Sequence, residues 1–217
     1  MKTENQKNVC LAICLLAAFL LWTLAIQWID VQAIGPCGSS VGFASLNGYI
    51  HTLTGVHMSL YTITDWLGLV PIAVAAGFGI LGLIQWIRRK HILLVDHSLL
   101  VLGGFYLVVM AVYVLFEQVV VNYRPVYING YLEASYPSST TMLVLCVMPT
   151  AVMQFHTRIR NKLLRRWIAS VITAFAVFMV TGRFVSGVHW FTDIIGGALL
   201  SAGLVLLYRT VIHWKVR

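Results

Sequence analysis

Three residues at fixed spacing, Arg183-x5-His189-x3-Asp193, hold the most distinctive chemistry in this chain. They border a long apolar run, where ionisable side chains are costly and are therefore candidates for function. On a helix, His189 and Asp193 would lie one turn apart on one face. The carboxylate could then hold one imidazole nitrogen and leave the other free to attack an electrophile. The planar guanidinium of Arg183 matches the oxygens of a phosphate.

Two more stretches fit the same chemistry. Asn122-Tyr123-Arg124-Pro125 supplies a second guanidinium. In Tyr136-Pro137-Ser138-Ser139-Thr140-Thr141, the proline and hydroxyl residues predict a helix start at Pro137, with Ser138 or Ser139 capping its free amides. Amides at a helix start form an anion site, so Ser138, Ser139 and Thr140 are candidate phosphate contacts.

The elements that must position these groups are membrane spans. The chain has 217 residues, of which 59% are hydrophobic and only 10% charged. Six apolar segments have about the ~20 residues needed to cross a bilayer. They are 9–29, 66–87, 98–116, 138–155, 167–182 and 189–208. The first is longer than the core of a signal sequence and has no small-x-small cleavage site after it, so it reads as a retained anchor. The expectation is an all-α, integral membrane bundle of six transmembrane helices, forming a single domain over 1–217. Phe43, Leu46, Ile50 and Leu53 recur at helical spacing after the first span, and either an interfacial helix or a buried covering segment fits them.

The net charge is +8. Nucleic acid is not the implied partner, because no stripe of basic and aromatic residues accompanies that charge. The basic residues instead cluster in alternate connections: Lys2 and Lys7; Arg88, Arg89 and Lys90; Arg158, Arg160, Lys162, Arg165 and Arg166; Arg209, Lys215 and Arg217. The positive-inside rule puts these, and both termini, in the cytoplasm. Arg124 and Arg183 then face the extracytoplasmic side together with His189 and Asp193. Cys10, Cys14, Cys37 and Cys146 show no zinc-binding spacing, and neither a disulfide nor a metal site is assigned.

The order of the three blocks resembles the type 2 phosphatidic acid phosphatase superfamily, which includes bacterial lipid phosphatases and the vanadium haloperoxidases. Its pattern is K-x6-RP, then PSGH, then SR-x5-H-x3-D. Arg124-Pro125, Pro137-Ser138 and Arg183/His189/Asp193 match it in order. The resemblance implies a bacterial cytoplasmic membrane, a lipid phosphate or diphosphate as substrate, no metal or other cofactor, and hydrolysis through a phosphohistidine. It casts His189 as nucleophile, Asp193 as its orienter, and Arg124 and Arg183, with the amides around Ser138 and Ser139, as the phosphate clamp.

Three positions depart from the pattern. Glu117 stands where the lysine is expected, Ser139-Thr140 replace Gly-His, and Gly182 replaces Ser. A threonine hydroxyl is far too weak an acid to protonate a leaving group at neutral pH. A diphosphate needs no such acid, because it releases a phosphate that is already a stable anion, so an isoprenoid or other lipid diphosphate is the favoured substrate. Glu117 could alternatively be the acid, if burial keeps it protonated, or the ionic partner of Arg124. A lipid-phosphate binder without hydrolysis and a lipid phosphotransferase remain open alternatives. Asp65, at the start of the second span, has no assigned role.

Overall fold

In the computed structural model, which describes residues 2–213, the chain is a bundle of eight helices with no β-strand among the described residues. The helices are α1 (Lys2–Trp28), α2 (Ala44–Thr54), α3 (Met58–Leu67), α4 (Leu69–Arg89), α5 (His97–Gln118), α6 (Ser139–Arg158), α7 (Lys162–Val185) and α8 (Phe191–Ile212). Six segments are long and apolar enough to cross a membrane, α3 and α4 counting together as Met58–Arg89. The protein is an integral membrane bundle, as its hydropathy predicts.

The second span begins eight residues before the expected position at 66. Its extra turns carry hydroxyl residues that bond back into the helix: Thr62 donates to the Met58 carbonyl and Thr64 to that of Leu60. Polar residues satisfied in this way leave no apolar periodicity to read. The break between α3 and α4 has a local cause, since Pro71 has no N–H to give to the Leu67 carbonyl one turn back.

α6 and α8 form the centre. Over their most apolar stretches 56% and 50% of residues are buried, against 22% or less in the other spans. α8 packs on α1 and α6, and α6 also on α7. Gly203 permits the approach to α1, because a Cβ there would lie 2.7 Å from Leu16 Cδ2. α2 follows the first span as a separate helix. Its Asn47 faces inward, donating to the Gly42 carbonyl and Thr192 hydroxyl and accepting from the Thr192 N–H. Leu46 and Leu53 point outward.

The Arg-rich connections gather at one end of the bundle, where Arg89 and Arg158 both pair with Asp96. Lys215 and Arg217 lie outside the described residues, as does the side chain of Lys2. Cys146 is buried, whereas Cys10, Cys14 and Cys37 are exposed.

Candidate active site

At the other end of the bundle, a short backbone-paired hairpin joins α5 to α6. Tyr123 pairs with Ala134, and Ile128 with Tyr131, across Asn129-Gly130. Both turn residues have positive φ, the requirement of a tight hairpin turn that Asn-Gly meets at low cost. Residues two apart on a paired segment share a face. The hairpin thereby brings Asn122 and Arg124 opposite Ser135 and Glu133, with Ser135 donating its N–H to Asn122 and Arg124 its N–H to Glu133.

The second half of the site comes from the turn between α7 and α8. Gly187 has φ +68, and a Cβ there would sit 1.9 Å from the Gly55 carbonyl oxygen, so only glycine fits. The turn places His189 before α8, not on it. His189 and Asp193 therefore do not share a helix face as their spacing predicted. Asp193, in the first turn of α8, reaches back to accept the Trp190 N–H at 2.9 Å.

Between His189 and Asp193 stands Ser135, which the motif spacing does not point to. The Ser135 hydroxyl donates to Asp193 Oδ2. His189 Nδ1 lies 3.2 Å from the Ser135 carbonyl oxygen and 3.1 Å from its Oγ. A carbonyl only accepts, so this pairing puts the proton on Nδ1 and leaves a lone pair on Nε2. The Asp193 carboxylate is 3.8 Å from Nδ1, near enough to stabilise positive charge on the ring but acting through the serine hydroxyl. Asn122 donates to the other carboxylate oxygen at 3.2 Å.

Nε2 faces the clamp. Arg124 Nη1 is 3.2 Å from it, and Arg124 Nε is 3.0 Å from Glu133 Oε2 without aligning as a hydrogen bond. The ionic partner of Arg124 is thus Glu133 rather than Glu117. Arg183 is only 2% exposed, and its Nη2 donates to Asp65 at 2.8 Å and to the Thr140 hydroxyl at 2.6 Å. Its Nε and Nη1 are buried with no acceptor. Buried donors are nearly always satisfied, so two orphans on one guanidinium mark a place for an anion. The Tyr61 ring lies under both arginines, 4.8 Å from the Arg183 guanidinium carbon and 5.9 Å from that of Arg124.

The start of α6 matches expectation in its cap residue but not in its bonding. Helix α6 begins at Ser139 with Ser138 as its cap residue, and Pro137 lies outside it. The Ser138 hydroxyl accepts from Thr141 instead of capping an amide, and its N–H already donates to the Asp193 carbonyl. Ser139 and Thr140 instead line a groove of about 490 Å³ with Asp65, Leu69, Ile72 and Tyr113. The groove starts beside Asp65 and Thr140, the two partners of Arg183, and runs between α4 and α5; a second cavity of about 310 Å³ shares Ala75 and Tyr106 with it. Glu117 is exposed near the end of α5 and is not among the residues that line the groove.

The PAP2 superfamily model matches residues 97–217, more than half of the chain. The chain belongs to the PAP2 superfamily. Among curated proteins, no sequence matches it. A solved structure shares the fold: that of the first transmembrane PAP2 type phosphatidylglycerolphosphate phosphatase from Bacillus subtilis, at TM-score 0.57 and 19% identity, covering 91% of this chain and 94% of that one. Within this PAP2 protein the three motif blocks converge on one site, and all three departures lie at or near its edge.

Proposed function

We propose that this PAP2 protein is a lipid phosphatase whose His189 attacks phosphorus and carries the phosphoryl group as a phosphohistidine. One observation carries the reading: Nε2 of His189, unprotonated and accepting from Arg124, points at a clamp of two buried arginines that hold unsatisfied donors. Attack by Nε2 would put positive charge on the imidazole, and Asp193 lies where that charge develops. Arg124, Arg183 and the Ser139–Thr140 edge would hold the phosphoryl oxygens while the groove takes the lipid tail. Water then attacks the phosphohistidine and frees phosphate; the residues need no metal or cofactor for either step.

The favoured substrate is an isoprenoid or other lipid diphosphate, because the site's Thr140 cannot protonate an alkoxide. The site would face the extracytoplasmic side of a bacterial cytoplasmic membrane with both termini inside, since the basic connections lie at the opposite end. Purified protein in detergent should release phosphate from prenyl diphosphate faster than from phosphatidic acid or phosphatidylglycerol phosphate. Equal or faster turnover of phosphatidic acid would remove the diphosphate preference, and absence of His189-dependent release from all three would remove the hydrolase reading.

The pH dependence has a definite sign. Burial, with the Arg124 charge beside it, pushes the His189 imidazole down from 6.5 to about 4. Only the neutral ring attacks, so protonation abolishes activity. A profile of kcat/KM, which reports the free enzyme, should therefore hold level through 6.5 as pH falls and drop only toward about 4. An acidic limb centred at 6.5 would contradict the environment described for His189.

A further inference from the structure

The nucleophile side of the site is complete, but its leaving-group side lacks an evident acid. The Thr140 hydroxyl accepts from Arg183, and a hydroxyl is too weak a donor. Of the carboxylates near the site, Asp193 is fully buried on the Nδ1 side of the imidazole, away from the attacking nitrogen. Glu133 pairs with Arg124, on the side of the attacking nitrogen, and does not line the groove. Glu117 pairs with neither arginine, whose acidic partners are Glu133 and Asp65.

Asp65 is placed differently. Its carboxylate and the Thr140 hydroxyl share one donor, Arg183 Nη2, at 2.8 and 2.6 Å. Both residues also line the groove that leads into the apolar bundle. A tail in that groove would bring the tail-bearing oxygen past Asp65, while His189 approaches phosphorus from the Arg124 side. Arg183 keeps Nε and Nη1 for the phosphoryl oxygens, so the Asp65 contact need not break when substrate binds.

The placement follows from one of the three departures. A Cβ at Gly182 would lie 2.7 Å from Thr64 Cγ2, and Thr64 is fully buried. The absence of a side chain at 182 lets α3 lie on α7, so Asp65, next to Thr64, meets Arg183, next to Gly182. Tyr61, one turn earlier on α3, reaches the same two arginines.

Resting on the hydrolase reading above, we propose that Asp65 is the acid that protonates the leaving oxygen of phosphate monoesters and so extends the substrate range to them. A monoester entering as its monoanion brings the proton, which passes to the Asp65 carboxylate. As the His189 Nε2–P bond forms and the P–O bond to the lipid breaks, Asp65 gives this proton to the departing oxygen and the lipid leaves as an alcohol. Water then attacks phosphorus, the P–N bond breaks, and dihydrogen phosphate leaves with both protons of that water, which restores neutral His189 and leaves Asp65 as a carboxylate. A diphosphate, whose leaving phosphate needs no proton, bypasses the acid step.

Farnesyl monophosphate and farnesyl diphosphate share one tail and differ in the leaving group, which makes them the test pair for the purified full chain. Asp65→Asn should lower kcat on the monophosphate on the order of 10²-fold or more beyond its effect on the diphosphate, the scale of general acid catalysis; the loss common to both substrates is that of the Arg183 contact. Asp65→Glu, which keeps a carboxyl group, should recover much of the monophosphate rate. Equal losses on both substrates, or loss on neither, would overturn the assignment, as would a monophosphate-specific loss in Glu117→Gln instead. His189→Ala, run alongside, separates the two ideas. Wild-type release that does not depend on His189 would overturn the hydrolase reading and this assignment with it, whereas His189-dependent release insensitive to Asp65 would overturn the assignment alone.

Discussion

His189→Ala is expected to abolish phosphate release, with a loss in kcat on the order of 10⁶ as for removal of other catalytic nucleophile or base residues. Nε2 of His189 is the nitrogen nucleophile that the site aims at Arg124, whereas the carboxylates at the clamp, Asp65 and Glu133, are each paired with an arginine. The variant should still fold. His189 contributes few bonds of its own, and Ser135, Asn122 and the Trp190 N–H continue to satisfy Asp193 without it. Phosphate binding should survive, because Arg124 and Arg183 remain. The check is therefore twofold: phosphate release, and protection of the folded protein by a lipid phosphate against thermal unfolding. Full activity in the variant would overturn the phosphohistidine route. Trapping an acid-labile phosphoryl group on wild type, absent from the variant, would establish it directly.

The blocks that spacing made legible are those set by short-range geometry. Arg183 stands in the last turn of α7, His189 in the connection after it and Asp193 in the first turn of α8, so short-range geometry keeps the three together. Yet the same spacing misled on detail, because helical periodicity cannot see the positive φ of Gly187 that lifts His189 off the helix. The hairpin carrying Asn122, Arg124, Glu133 and Ser135 had a local signal, Asn129-Gly130, the strongest two-residue hairpin marker. Reading it would have set Glu133 opposite Arg124 and Ser135 opposite Asn122. Tyr61 and Asp65 had a weaker one: Asp65 is a lone carboxylate at the start of an apolar span. Its partner could not be read, because the contact arises from two helices distant in sequence that meet where a glycine lies under a threonine. The groove is likewise a product of packing, and no residue in it marks it in advance.

Asp193→Asn should leave the fold in place and lower kcat by roughly 10³–10⁴-fold, the scale seen when the carboxylate of a histidine-based triad becomes an amide. An asparagine can turn its amide nitrogen toward Asn122, which can present its own oxygen in return, while its carbonyl still accepts from Trp190 and Ser135. What it cannot supply is negative charge for the imidazolium formed on phosphorylation. Ser135→Ala separates charge from connection. The Ser135 carbonyl remains to hold Nδ1, so the tautomer survives, but the hydroxyl linking ring to carboxylate is lost. The loss of a hydrogen bond to a charged group is about 1.5–3 kcal/mol, or roughly 10- to 10²-fold in rate at about 1.4 kcal/mol per tenfold. If the hydroxyl acts through Asp193, the double variant should be scarcely slower than Asp193→Asn alone, since residues that work as one unit are not additive. Fully additive losses would mean that Ser135 holds the ring independently. Asp193 would then act on His189 across the 3.8 Å gap without the serine, as a charge and not as a relay.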